Sequence, residues 1–231
     1  MKDFTALEKK IGHTFSDASF LTTALTHRSY INESAKHKGQ HNERLEFLGD
    51  AVLELITTEF LFAKYPNKTE GDLTSYRAGL VNTSTLATVS MELGVNDFLL
   101  LSKGEAKDMG RARQYILANA FEAIVGALFL DGGYAVAQAF VAQYLLPLTD
   151  DIVKDHLWRD AKSRFQELSQ EKLGVTPSYE TVKEEGPDHD RVFTVAVFLK
   201  KEEVAQGTGK SKQEAEQVAA HNALHTKGWR S

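Results

Sequence analysis

Apolar residues recur at helical spacing over most of the chain. From Asn42 to Ile56, Leu45, Leu48, Val52 and Ile56 fall on one side of a helix, and Glu43, Glu46 and Asp50 on the other. Asn42 suits the N-cap of that helix, and Glu43 in the first turn complements the dipole. Phe47 departs from the pattern: it lies about 40° from Glu43, an aromatic ring among carboxylates, and such a ring asks for a partner surface. Upstream, Leu7, Ile11, Phe15, Phe20, Leu21 and Leu25 predict two short helices, with Ser16 or Asp17 capping the second. Downstream, a turn-rich loop from Tyr65 to Asp72 leads to one or two helices between Leu73 and Leu93, stopped by Gly94. A loop from Lys103 to Arg113 follows. Tyr115 to Leu130 is apolar nearly all round, which predicts a helix buried inside a bundle, ended by Asp131-Gly132-Gly133. A last amphipathic helix runs from Tyr134 to near Pro147.

Beyond Trp158 the period changes. A helix from Ala161 to Lys172 precedes two alternating stretches, Ser178 to Val182 and Arg191 to Leu199. A third short strand, Glu203 to Gln206, leads to Gly207-Thr208-Gly209-Lys210-Ser211-Lys212, where Ser211 caps a final helix to about Leu224. The pattern therefore predicts an all-α domain over residues 1–153 and a small α+β domain of order α-β-β-β-α over residues 158–231, joined by an acidic linker.

The 231 residues are 42% hydrophobic, enough for a sizeable core and against disorder. Absence of cysteine removes disulfides, thiolate zinc sites and thiol catalysis, and is compatible with a reducing compartment. The first residues carry no signal-peptide pattern, and the apolar run Ile116 to Leu130 is short for a membrane span and contains Glu122. A cytoplasmic protein without membrane partners is the expectation. Net charge is −5, all of it in residues 1–157, while residues 158–231 balance to zero.

The chemistry turns on acids. Two carboxylates about 6 Å apart repel by roughly 3 kcal/mol at an effective dielectric near 20 and by under about 1 kcal/mol in bulk water. Glu43, Glu46 and Asp50 are thus cheap on an open surface and need a cation in a cleft. Glu122 stands in the buried helix with Asn119 one turn before it on the same face. An ionised Glu there requires a partner. One reading pairs it with Arg44 or Arg28. The other sets Glu122 and Asn119 against Glu46 and Asp50, an oxygen-only donor set suited to Mg²⁺ or Mn²⁺. Such a set fits phosphodiester hydrolysis. No Ser-His-Asp pattern competes, and no Walker loop is present to bind a nucleotide cofactor.

These residues resemble the ribonuclease III family. Asn42-Glu43-Arg44-Leu45-Glu46-Phe47-Leu48-Gly49-Asp50 matches that family's signature nearly letter for letter. Thr26-His27-Arg28-Ser29-Tyr30, Glu70-Gly71-Asp72-Leu73, Ile116-Leu117-Ala118 and Phe121-Glu122-Ala123 match as well. The resemblance spans essentially the whole chain. It implies that Glu46, Asp50 and Glu122 are metal-binding catalytic positions and that Glu43 and Glu70 are further acidic positions of the active-site valley. It implies that Phe47 plugs into the partner subunit of a homodimer. Asn119 departs from the family, which usually has Asp there, so one metal ligand is neutral. Gln114-Tyr115 departs from the usual Glu-Ser.

The C-terminal piece resembles a double-stranded-RNA-binding domain. Lys210, Ser211 and Lys212 at a helix start offer charge, backbone N–H groups and a dipole end to phosphates. Gln166 and Gln170 on the first helix are expected to reach 2′-hydroxyls of one minor groove, and the Gly186-Pro187-Asp188-His189 loop to enter the next, a span of about 16 base pairs for such domains. The implied protein is a dimeric, Mg²⁺-dependent endoribonuclease of double-stranded RNA that acts in rRNA and mRNA processing and leaves 5′-phosphates and 3′-hydroxyls. Its rival is a dimeric double-stranded-RNA-binding protein whose chemistry is lost through Asn119. Survival of Glu43, Glu46, Asp50, Glu70 and Glu122 favours the enzyme.

Overall fold

The computed structural model describes residues 3–33, 39–107, 110–154, 161–187 and 191–229. It divides into two compact units, Met1–Trp158 and Arg159–Ser231. The acidic linker expected near residues 155–160 lies outside the described residues.

The first unit is helical: α1 (Thr5–Ile11), α2 (Ala18–Ala24), α3 (Arg28–Glu33), α4 (Glu43–Lys64), α5 (Glu70–Leu80), α6 (Thr83–Leu93), α7 (Arg111–Tyr144) and α8 (Thr149–Lys154). Helix α7 is the axis of the core. Leu117, Ala120, Phe121, Ala123, Ile124, Val125, Ala127 and Leu128 are all buried along it. By length and apolarity alone α7 would pass for a membrane span, but these residues are covered by neighbouring helices, as the sequence pattern predicts. Gly133, at φ 78° and ψ −176°, breaks its helical course, where the Asp-Gly-Gly run foretells an end. A glycine is needed there because a side chain rarely tolerates that φ.

Helix α4 itself ends where the loop was expected to begin, at Tyr65, with Leu61 carrying its buried stripe on past Ile56. Several other boundaries differ from the expectation. Glu70 is not in a loop but opens α5, whose start is fixed by a capping box between Thr69 and Asp72. Asn42 occupies the N-cap position of α4 without capping it: its backbone is already helical and its side chain makes no cap bond. It is buried, and its N–H donates to the Thr26 carbonyl. Asp17, rather than Ser16, caps α2 through Ser19 N–H.

The second unit has the order α9 (Ala161–Leu173), β1 (Ser178–Glu185), β2 (Val192–Leu199), β3 (Glu202–Gly209) and α10 (Lys212–Thr226). The antiparallel sheet runs β1-β2-β3. Phe165 and Leu168 of α9, Ala219, Ala220 and Ala223 of α10, and Val197 and Leu199 of β2 form its core. Strands β1 and β3 extend past the alternating stretches, since edge positions carry polar residues on both faces and lose the apolar alternation.

Candidate active site

Helices α4 and α7 cross with their backbones touching. A Cβ placed on Gly49 would sit 1.7 Å from the Glu122 carbonyl oxygen, and one on Gly126 would sit 2.3 Å from the Leu45 carbonyl oxygen. Only hydrogen fits at either point. This crossing sets Glu46 and Asp50, on either side of Gly49, against Glu122 and Asn119, within two turns of Gly126.

The electrostatics of the four residues follow from that contact. Burial raises the Glu46 carboxyl above the usual range, the charges of Glu43 and Asp50 raise it further, and the Asn119 side-chain amide, which donates to it, opposes both. Glu122 is pushed up to about 7, first by burial and then by Asp50 and Glu46. No cation is among the groups acting on it. The alternative pairing of Glu122 with Arg28 or Arg44 is absent among the described ion pairs; Arg28 Nη1 instead lies 3.4 Å from Glu43 Oε1. His41 Nδ1 is 3.8 Å from the other Glu43 oxygen.

Glu70 stands outside this group. Its carboxylate accepts from Thr74 Oγ1 on α5, and it is not among the charges that raise Glu46 or Glu122.

Among the described residues no three His, Asp or Glu side chains converge as metal ligands. What fits a divalent cation is the chemistry of the donors. All four present hard oxygens, three of them carboxylates, and of these Glu122 is raised to about 7, first by burial and then by the charges of Asp50 and Glu46. A hard cation removes that conflict.

Phe47, one residue from Glu46, is 81% exposed. It borders a depression of about 900 Å³ lined also by Phe20, Leu45, Leu48 and Leu130. Its place on the outward face agrees with the helical phase read from the sequence.

In the second unit Gln166 and Gln170 are exposed on one face of α9, with Gln170 Nε2 donating to Thr176 Oγ1. Ser211 caps α10 by accepting from Glu214 N–H. Lys210 donates its backbone N–H to the Glu214 carboxylate. Lys212 is held by Glu184, its Nζ 2.8 Å from Oε1. His189 lies outside the described residues.

Sequence reasoning missed Gly49 and Gly126 as the crossing point. It also missed Asp131, whose carboxylate accepts from Ser16 N–H and Oγ–H, from Asp17 N–H and from the His13 ring. The signal for the first was present, since a glycine inside a strong helical pattern marks a close approach. Asp131 gave none: its partners are more than a hundred residues away.

Residues 17–148 match the family model described as ribonuclease-III-like, and residues 161–227 match the double-stranded RNA binding motif. The chain is 48% identical to ribonuclease 3 of Bdellovibrio bacteriovorus over 96% of its own length and 95% of that protein. It is 46% identical to ribonuclease 3 of Pelotomaculum thermopropionicum, over 95% of this chain and 91% of that one. The nuclease domain of ribonuclease III from Campylobacter jejuni superposes with a TM-score of 0.57 at 38% identity, over 63% of this chain and 99% of that domain. A helical domain with a carboxylate-rich helix crossing, followed by a double-stranded-RNA-binding domain, defines a two-domain ribonuclease. The chain belongs to the bacterial ribonuclease III family, metal-dependent endoribonucleases specific for double-stranded RNA.

Proposed function

We propose that Glu46, Asp50, Glu122 and Asn119 hold Mg²⁺, for which Mn²⁺ can substitute, and that phosphodiester hydrolysis takes place at them. The observation that carries this reading is Glu122, raised to about 7 beside two further acids with no cation acting on it. When bound, a divalent ion supplies Lewis-acid chemistry for attack by water and for the charge on the departing oxygen. The protein's own part is positional. Asp50 and Glu122 supply charge from facing helices, and Asn119 orients the Glu46 carboxylate by donating to it. Glu43 extends the acidic ground toward Arg28 and His41, while Glu70, bonded to Thr74 on α5 and apart from these four, is assigned to the valley only by its match to the family pattern. Products would carry 5′-phosphates and 3′-hydroxyls, as water attack with departure of the 3′ oxygen requires.

Two copies of the chain pair through the face that bears Phe47. A twofold axis beside an exposed ring and a depression lets each copy insert its ring into the other, which supports a homodimer. Gln166, Gln170, Lys210, Ser211 and Lys212, with His189, form the RNA-binding set of the second domain, and precursors of rRNA and mRNA in the cytoplasm are the substrates we assign. Neutral Asn119 is the one feature that favours an impaired enzyme, but three carboxylates beside it retain the charge needed for the ion.

The test is cleavage of long double-stranded RNA with and without Mg²⁺. Glu122→Gln is expected to abolish cleavage while RNA binding stays near wild type. Equal cleavage by the variant overturns the site assignment.

A further inference from the structure

Glu184, Phe193 and Gly209 form one cross-strand row of the second domain, Glu184 opposite Phe193 and Phe193 opposite Gly209. Residues so paired share a face of the sheet. That face is the one α10 covers, because a Cβ on Gly209 would lie 2.6 Å from Ala215 N and 2.8 Å from Glu214 Cβ. The first turn of α10 thus rests on Gly209, and its side chains reach along the row. Lys212 does so: its Nζ stands 5.6 Å from the centre of the Phe193 ring and 2.8 Å from Glu184 Oε1. From the other side Arg191 Nη1 approaches Glu184 Oε2 at 3.5 Å. One carboxylate therefore holds two cations at the end of the sheet nearest the helix start.

These pairs are exposed, Lys212 by 57% and Glu184 by 37% of the side chain. Ion pairs of this kind contribute little to stability. They do change what a polyanion meets. A lysine already neutralised by a carboxylate gives up less on meeting a phosphate than one surrounded by free counterions, and the carboxylate repels the incoming phosphate.

We propose that Glu184 is an affinity-setting residue of the RNA-binding domain: its carboxylate competes with the RNA phosphate for Lys212 and Arg191, and RNA must displace it. This rests on Lys212 facing RNA, the reading given above, and adds Arg191 to the phosphate-facing cations. Lys212 together with Arg191 holds the Glu184 carboxyl below the usual range, in keeping with a charge in use within the domain.

The test is equilibrium binding of the full chain, with divalent ions chelated so that no cleavage occurs, to an RNA duplex longer than the roughly 16 base pairs one such domain spans. Glu184→Gln is expected to bind about fivefold tighter near 0.1 M salt, with a salt dependence steeper by about one phosphate contact. Lys212→Ala should bind more weakly, and on that background Glu184→Gln should lose most of its gain. Weaker binding by Glu184→Gln overturns the proposal, since the carboxylate would then be positioning Lys212. An undiminished gain without Lys212 also overturns it, leaving only net charge. Full affinity in Lys212→Ala instead removes the reading that Lys212 faces RNA, a separate failure visible without any change at Glu184. Unchanged melting temperatures show that the variants are folded.

Discussion

At the scale of single residues the candidate active site is a problem of unbalanced charge. Glu46, Asp50 and Glu122 bring three carboxyl groups to one helix crossing, and Asn119 brings none. An Asn oxygen ligates a hard cation without offsetting its charge, so affinity for Mg²⁺ is expected to be lower than with Asp at that position, and the chemistry intact. Asn119→Asp should therefore lower the Mg²⁺ concentration for half-maximal cleavage with little change in rate at saturating metal. Titration of cleavage with Mg²⁺ checks this, and an unchanged midpoint would remove Asn119 from the ligand set. Asp131 is the opposite case, a carboxylate fully supplied with donors. Its side chain is 2% exposed and receives hydrogen bonds from Ser16, Asp17 and His13, with Ser16 Oγ at 2.5 Å, and these, led by the Ser16 hydroxyl, hold its carboxyl well below the usual range. A depressed carboxylate stabilises the fold above its unfolded value and loses that contribution as pH falls, here below about 4. Asp131→Asn is expected to cost about 2 kcal/mol at neutral pH, with the gap from wild type narrowing in acid. Urea unfolding at pH 7 and in steps below pH 4 measures both quantities, and a gap independent of pH would assign the loss to packing.

At the scale of elements the crossing of α4 and α7 decides whether a site exists. Gly49→Ala adds one methyl where a backbone oxygen already stands 1.7 Å from the added atom, so the helices must part. Overpacking of this kind costs typically 1–3 kcal/mol and more when backbone blocks relief. We expect a loss of about 3 kcal/mol or more in thermal or urea unfolding, and a rise in the Mg²⁺ needed for cleavage by the fraction that remains folded. A fully stable variant with wild-type metal dependence would show that the acids do not depend on the crossing. Much of this architecture was legible in the sequence, for a physical reason. The stripe of Leu45, Val52 and Ile56 and the all-apolar run around Phe121 are local periodicities, and local periodicity sets helix type and face. The α-β-β-β-α order was legible for the same cause, with strand ends less so because edge strands mix polar residues on both faces. Pairings between distant segments were not legible. Asp131 with Ser16, Thr26 with Leu100 and Glu184 with Lys212 leave no periodic trace. Asn42 misled because a residue suited to capping is buried here for its backbone bond to Thr26.

At the scale of the whole molecule the open matter is the outward face of α4. Phe47, Leu55 and Phe62 are 81%, 58% and 74% exposed, and their spacing of eight and seven residues keeps them along one side of the helix. Three large apolar side chains in a row on water are an interface signal rather than ordinary surface. Phe47 is the ring best placed to anchor it, since the adjoining depression of about 900 Å³ is lined by apolar residues and also by Glu43 and Arg44. In an isologous pair the same ring is used twice, so one substitution removes two anchors. Truncation of an aromatic anchor in a packed pocket costs roughly 3 kcal/mol or more, and each 1.4 kcal/mol is about tenfold in dissociation constant. Phe47→Ala is therefore expected to weaken dimerisation by at least about a hundredfold, while its circular dichroism stays that of wild type because the ring contributes little to the core of its own chain. Sedimentation across a dilution series gives the constant directly. Cleavage of duplex RNA by the variant should then fall at dilutions where wild type remains paired and recover on concentration, since the proposed arrangement of two acidic sites facing one duplex requires both subunits. An unchanged dimer would mean that Phe47 is not the anchor, and the pairing face would have to be sought along Leu55 and Phe62 instead.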